Sequence, residues 1–355
     1  MQKRRHVFIS ALILCLLISL VPTAAFAGMD SESEVVATIG NVEYTDFQEA
    51  LDAIQDGQTV TLIGDISGGG FTVKDKEGMK YTIDLNGYTI SSEEWWSILT
   101  VESGTVTIKD GSIFNLNDGD AEMQEDGTYF VNAALWLESG AVLKNLDIKS
   151  EGRGAQALVS DTDELITMSG CKVEATAEDF DEIYRTIGFV GYRGSNVKAT
   201  KCEFYSTNSE RAFETSGKAI LNNCKASSAT FSVIAFEGAN VQITKGTYKS
   251  CISIEKKAKA TINDGYFKDA DVPLIVYGTV TIKAGKFYGV NNAVYVDGGK
   301  VTVKKGYFSA SSGKAWESKK YSKQLDKVFK ISKGSKVVQS KWKLGKLGTI
   351  SVKTK

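Results

Sequence analysis

Histidine is nearly missing from this 355-residue chain: the only one, His6, lies six residues from the N-terminus. The rest of the chain has no imidazole for general acid–base work, nucleophile activation or metal ligation. Ser-His-Asp and Cys-His hydrolases and every His-ligated zinc site are thereby excluded. Proline is almost as scarce, with Pro22 and Pro273 its two occurrences. No cysteine pair has CxxC spacing, which disfavours zinc or iron–sulfur binding. Past residue 27 no apolar run is long enough for a membrane-spanning helix. What is present is 34 Gly, 42% apolar and 10% aromatic residues, a composition that is neither disordered nor collagen-like and that suffices for a large core.

The first 27 residues read as an export leader. Lys3, Arg4 and Arg5 form a basic start, and residues 7–21 are apolar but too short to span a bilayer. Ala25-Phe26-Ala27 places small residues where a signal peptidase reads, which predicts cleavage after Ala27. Cys15 follows the bulky Leu14, unlike a lipoprotein cysteine. The expectation is a secreted, extracellular protein with no transmembrane anchor.

A repeat dominates the rest of the chain. VTIKDGSIF from Val106, VQITKGTYKS from Val241 and ATINDGYFKD from Ala260 align with VTIKAGKFYG from Val280 and VTVKKGYFSA from Val301. The shared small position falls at Gly111, Leu146, Cys171, Cys202, Cys224, Gly246, Gly265, Gly285 and Gly306, at intervals of 35, 25, 31, 22, 22, 19, 20 and 21. Each unit holds two or three short alternating strands joined by Gly, Asn or Asp turns. One unit cannot bury its own apolar face but stacked units can, so the period predicts a parallel β-solenoid.

The pattern, over roughly residues 58–310, resembles right-handed parallel β-helix proteins of the pectate-lyase-like superfamily, of the secreted bacterial surface type. The resemblance implies an all-β fold: a single right-handed parallel β-helix. Residues 28–57 are expected to supply an N-terminal segment and a short capping helix. Thr45 with Gln48 and Asp46 with Glu49 form overlapping capping boxes, Phe47, Ala50, Leu51 and Ile54 share one apolar face, and Gly57 ends it. Residues 311–355 read as a lysine-rich C-terminal cap. Cys171, Cys202 and Cys224 share one repeat position, so they are expected to stack in the core as small apolar fillers, with a bridge between neighbours left open by the ~4.8 Å strand spacing.

The three longest intervals cover residues 112–202, and their extra residues predict neighbouring loops. They carry Asp118, Asp120, Glu122, Glu125 and Asp126; then Asp161, Asp163 and Glu164; then Glu178, Asp179, Asp181 and Glu182. Beyond the leader, the arginines are Arg153, Arg185, Arg193 and Arg211, all in or just past this stretch. Clustered carboxylates suit Ca²⁺, a hard ion with oxygen ligands, and Asp161, Asp163, Asp179 and Asp181 are the expected ligands. Trp136, between Leu135 and Leu137, is expected to point outward and stack on a sugar, with Tyr184, Arg185 and Arg193 completing a carbohydrate-binding groove. In pectate lyases calcium acidifies the proton beside a uronate carboxyl and an arginine or lysine removes it. That resemblance makes Arg185 and Arg193 the catalytic candidates, although no lyase motif matches residue by residue and the polygalacturonase signature histidine has no counterpart.

Charge is partitioned. Residues 28–240 hold 15 Lys+Arg against 36 Asp+Glu, a net of −21; residues 241–355 hold 24 Lys against 7 acids, a net of +17; with +3 from the leader this gives the whole-chain −1. The basic end predicts an anionic partner such as a cell-wall polymer, phospholipid headgroups or an acidic glycan, not nucleic acid. Together these features predict a monomeric, secreted or wall-associated, non-catalytic β-helix protein that binds polysaccharide or serves in surface display. The alternative is a Ca²⁺-assisted uronate lyase.

Overall fold

The computed structural model describes residues 34–119, 122–123, 129–177, 185–192, 194–207, 211–320, 325–340 and 349–354. The expected leader lies outside them. Two units are distinguished, Met1–Val35 and Val36–Lys355, and the second is a β-solenoid of about 10 turns. With 62% strand and 4% helix, it is all-β, as the repeat predicts. Among the described residues no helix is long and apolar enough to cross a membrane.

Each coil contributes to three parallel sheets. Sheet I begins with Thr59–Leu62 and Lys80–Asp84, sheet II with Ile66–Ser67 and Thr89–Ser92, sheet III with Phe71–Val73 and Ser97–Val101. Thr105–Asn115 and Ala141–Glu151 turn from sheet I to sheet II without a break, and Lys218–Ala235 contributes to all three sheets. The aligned motifs lie in direct register: Val106, Ala141, Ile166 and Val197 stack in one column, continued by Ala219, Val241, Ala260, Val280 and Val301. All are buried, as expected for residues of one parity on a pleated strand.

The corner from sheet I to sheet II passes through a left-handed residue in most coils. Asp110, Asn145, Gly170, Lys201 and Asn223 supply it in the earlier coils, with φ between 51° and 65°. Asn and Asp adopt this region more readily than other side chains. In later coils the positive φ moves to the repeat glycine itself, at Gly246 (140°), Gly265 (148°) and Gly285 (136°). A Cβ on Gly246 would lie 2.0 Å from the Cys224 carbonyl oxygen, so no side chain fits there.

Core volume changes with the corner. Where the repeat position is Leu146, Cys171 or Cys224, the inward residue two places on is Ile148, Val173 or Ala226. From Gly246 onward, where it is glycine, that residue is Tyr248, Phe267, Phe287 or Phe308, and these rings stack with centroids 5.3, 4.4 and 5.0 Å apart; the earlier Gly111 and Cys202 are followed instead by Ile113 and Phe204. A Cβ on Gly265 or Gly306 would meet Phe267 or Phe308 at 2.8 Å, so glycine leaves the room the ring occupies. Cys171, Cys202, Cys224 and Cys251 are all free and buried. Burial pushes the Cys251 thiol up to about 12.

The helix spans Phe47–Ala53. Asp46 caps it by accepting from the Glu49 backbone N–H at 3.0 Å, as the second capping box predicts. Gln48 instead grips the first strand of sheet III, accepting from Thr72 N–H at 2.9 Å and donating to its carbonyl at 2.8 Å. Phe47, Ala50 and Leu51 are buried, and Phe47 meets Phe71 edge-on at 5.0 Å. The helix ends at Ala53, four residues before Gly57. In the lysine-rich end, Lys314–Ser318 extends sheet III and Phe329–Ile331 extends sheet I. Thr349–Thr354 pairs antiparallel with Gly306–Ala310, and Trp316 stacks on Phe329 at 4.8 Å.

Candidate functional site

Trp136 alternates away from the buried Leu135 and Leu137, as expected, and stands between Thr100 and Val159 on the outer face of sheet III. That face is covered. Trp136 is half-buried, and its Nε1 is shielded from solvent with no hydrogen-bond partner among the described residues. Further along the same column Val159 and Val190 are fully buried and Ile234 nearly so. Glu214 lies among them and pairs with Arg211, whose guanidinium stands 5.3 Å over the Phe236 ring. Such a buried pair persists because each partner offsets the other's desolvation. Tyr192 donates from its hydroxyl to Gln156 Oε1 at 3.0 Å, and burial pushes its phenol up.

Of the expected calcium and sugar ligands, Trp136, Asp161, Asp163 and Arg185 fall among the described residues. Asp161, half-buried, and Asp163, exposed, follow Gln156–Ser160 at the corner from sheet III to sheet I. Glu164 beside them accepts from the Gly140 N–H at 2.8 Å. Arg185 is exposed just ahead of Ile187–Gly191. Since that strand pairs in parallel with Gln156–Ser160, Arg185 and Asp161 lie at opposite ends of it, separated by its five residues, about 16 Å. Tyr184, Arg193, Asp179 and Asp181 lie outside the described residues. Among the described residues no three His, Cys, Asp or Glu side chains gather as a ligand set.

The better-formed surface is one that the insertions do not mark: the outer face of sheet II. One outward column runs Asp147, Lys172, Glu203, Lys225, Thr247, Tyr266, Lys286 and Tyr307. A second runs Lys149, Glu174, Tyr205, Ser227, Lys249 and Lys268, with Tyr288 and Ser309 on the next rows. In the earlier rows charge is matched. Lys149 meets Glu151 at 2.5 Å, Lys172 meets Glu174 at 2.6 Å, and Lys225 meets Glu203 at 2.5 Å. The Lys225 ammonium and the Tyr205 hydroxyl, which donates at 2.6 Å, hold the Glu203 carboxyl below its ordinary range.

From Lys225 onward neither column contains a carboxylate. A shallow cavity of about 540 Å³ opens there, lined by Tyr205, Lys225, Thr247, Lys249, Tyr266 and Lys268. Lys268 stands 5.8 Å from the Tyr266 ring centroid and 3.3 Å from Asp269. The Tyr266, Tyr288 and Tyr307 rings follow one another at 5.1 and 5.5 Å. A second cavity of about 390 Å³ is lined by Lys286, Lys305, Tyr307 and Lys353 among others. The signal is present in the aligned motifs: the positions flanking each inward ring read Thr/Lys, Tyr/Lys, Lys/Tyr and Tyr/Ser around Tyr248, Phe267, Phe287 and Phe308. Compared with known proteins, the chain matches no family model, no curated protein and no solved structure.

Proposed function

We propose that this is a secreted or wall-associated β-helix protein that binds polysaccharide without cleaving it. One observation carries the reading: the open cavity on sheet II, where lysine ammoniums and tyrosine rings alternate beside hydroxyl-bearing Ser227 and Thr247. Rings offer sugar faces a flat apolar partner and ammoniums donate to ring substituents or acidic groups, while nothing placed there is an activated nucleophile. The export leader and the absence of imidazole beyond it point the same way. The test is to incubate the protein with neutral and uronate polysaccharides, with and without Ca²⁺. Retention of polymer with no loss of chain length is the expected result. Ultraviolet absorbance from unsaturated products would establish the lyase alternative instead, and failure to retain any polysaccharide would remove the binding reading.

A further inference from the structure

We propose that the outer face of sheet II from Lys225 to Tyr307 is a track for a linear polysaccharide bearing one anionic group per sugar, laid along the solenoid axis. The proposal rests on the polysaccharide-binding reading and names its substrate class. Four successive rows each present one lysine, at Lys225, Lys249, Lys268 and Lys286. Strand spacing sets these rows about 4.8 Å apart, so a polymer charged at every unit meets an ammonium at every rung. Lys249 and Lys286 are exposed, and neither has an ion-pair partner among the described residues. Lys249 and Lys268 oppose each other directly in register. Like charges so placed destabilise a sheet, and an anion between them reverses the sign of that interaction.

The ends of the track are also defined. On the rows before Lys225 each cation is already matched by a carboxylate, Lys172 by Glu174 and Lys149 by Glu151, and Glu203 pairs with Lys225 itself, so no unmatched ammonium continues the track there. At the other end Lys353, from the antiparallel strand paired with Gly306–Ala310, joins Lys305 and Tyr307 around the second cavity. Between these limits the Tyr266, Tyr288 and Tyr307 rings form a continuous wall. Five rows, at Lys225, Thr247, Tyr266, Lys286 and Tyr307, span about 19 Å, room for a short run of sugars. Lysines, as point charges without a fixed fork, accept carboxylate or sulfate alike. The shared chemistry is therefore a repeating anion, and the two sources are separated by experiment.

The full-length secreted protein is titrated with polygalacturonate oligosaccharides, dextran sulfate and neutral dextran. Whichever acidic polymer binds, neutral dextran should bind at least about tenfold more weakly, and monomeric galacturonate should not compete. Replacing Lys249, Lys268 and Lys286 together by Ser should weaken acidic-polymer binding by about tenfold or more while leaving the melting temperature equal or higher. The same replacement at Lys259, Lys330 and Lys333, exposed lysines off the track, should leave affinity within about twofold. Tyr288→Ala should weaken binding without changing its salt dependence. Equal losses from the two lysine triples would overturn the track in favour of net charge alone. Full binding by the track variant would overturn it too, while the polysaccharide reading would stand on another surface. If the parent binds no polysaccharide at all, both fall together.

Discussion

The coils up to Cys224 and those from Gly246 onward are built on one backbone plan with opposite solutions. The earlier coils turn at a left-handed Asp, Asn, Gly or Lys and fill this part of the core with Leu or Cys beside Ile, Val or Ala, with Phe204 after Cys202 the exception. They also carry the insertions and most of the acid. The later coils turn on glycine, fill the freed space with a stacked aromatic column and are regular to within a residue or two per period. The two corner types meet between Cys224 and Gly246, where the register shifts, and the charge changes sign within the same coil. Regularity is thus greatest where the outer face presents repeating lysines, and it breaks where the loops lie.

The largest difference between the halves is expected in the core. Phe287→Ala opens a ring-sized cavity between two stacked neighbours and should cost about 3–5 kcal/mol. Cys202→Ala removes only a sulfur from a better-shared volume and should cost about 1 kcal/mol. Denaturant melts with unchanged m-values read both, and equal losses would show that the two columns are not different kinds of core.

Calcium separates the halves next. If Asp161, Asp163, Asp179 and Asp181 hold the ion, millimolar Ca²⁺ should raise the melting temperature, by about 2.7 kcal/mol of stability at a hundredfold excess over Kd. Replacing the four by Asn should abolish that rise, with calcium-free stability equal or improved. A melting temperature indifferent to Ca²⁺ removes the metal from the acidic half and the lyase alternative with it.

The smallest effect marks the row where matched charge gives way to lysine. Glu203 has its carboxyl held below 4.5 in the folded protein by Lys225 and Tyr205. A depressed carboxyl stabilises above its unfolded value, and that contribution fades as pH falls through the folded one. Glu203→Gln should therefore lower the melting temperature slightly near neutral pH and match the parent in strong acid. A gap that persists or widens on acidification would contradict the pairing.

Period and ladder were legible in the sequence because stacking forces the same small residue, parity and turn to recur, which placed Cys171, Cys202 and Cys224 in one buried column and Asp46 at a helix cap. The corner to which extra residues belong was not. An interval counts residues and is silent on which of three turns holds them, so spacing alone does not say that Asp161 and Asp163 occupy the corner from sheet III to sheet I. Trp136 was legible as outward-facing but not as covered, because alternation reports a face and not what lies over it. The lysine–tyrosine face is hard to read from the linear chain for a related reason: its residues are dispersed one or two per repeat and meet only when the coils stack.

Glycine at the repeat position has a consequence for length. With the ring two places on filling the same space in every later coil, each coil presents its successor with the surface it received. A segment of one period could be duplicated or excised between Gly246 and Gly306 with both junctions still matched, lengthening or shortening the molecule by one strand spacing, about 4.8 Å. This part of the chain behaves as a gauge, its extent written as a number of repeats.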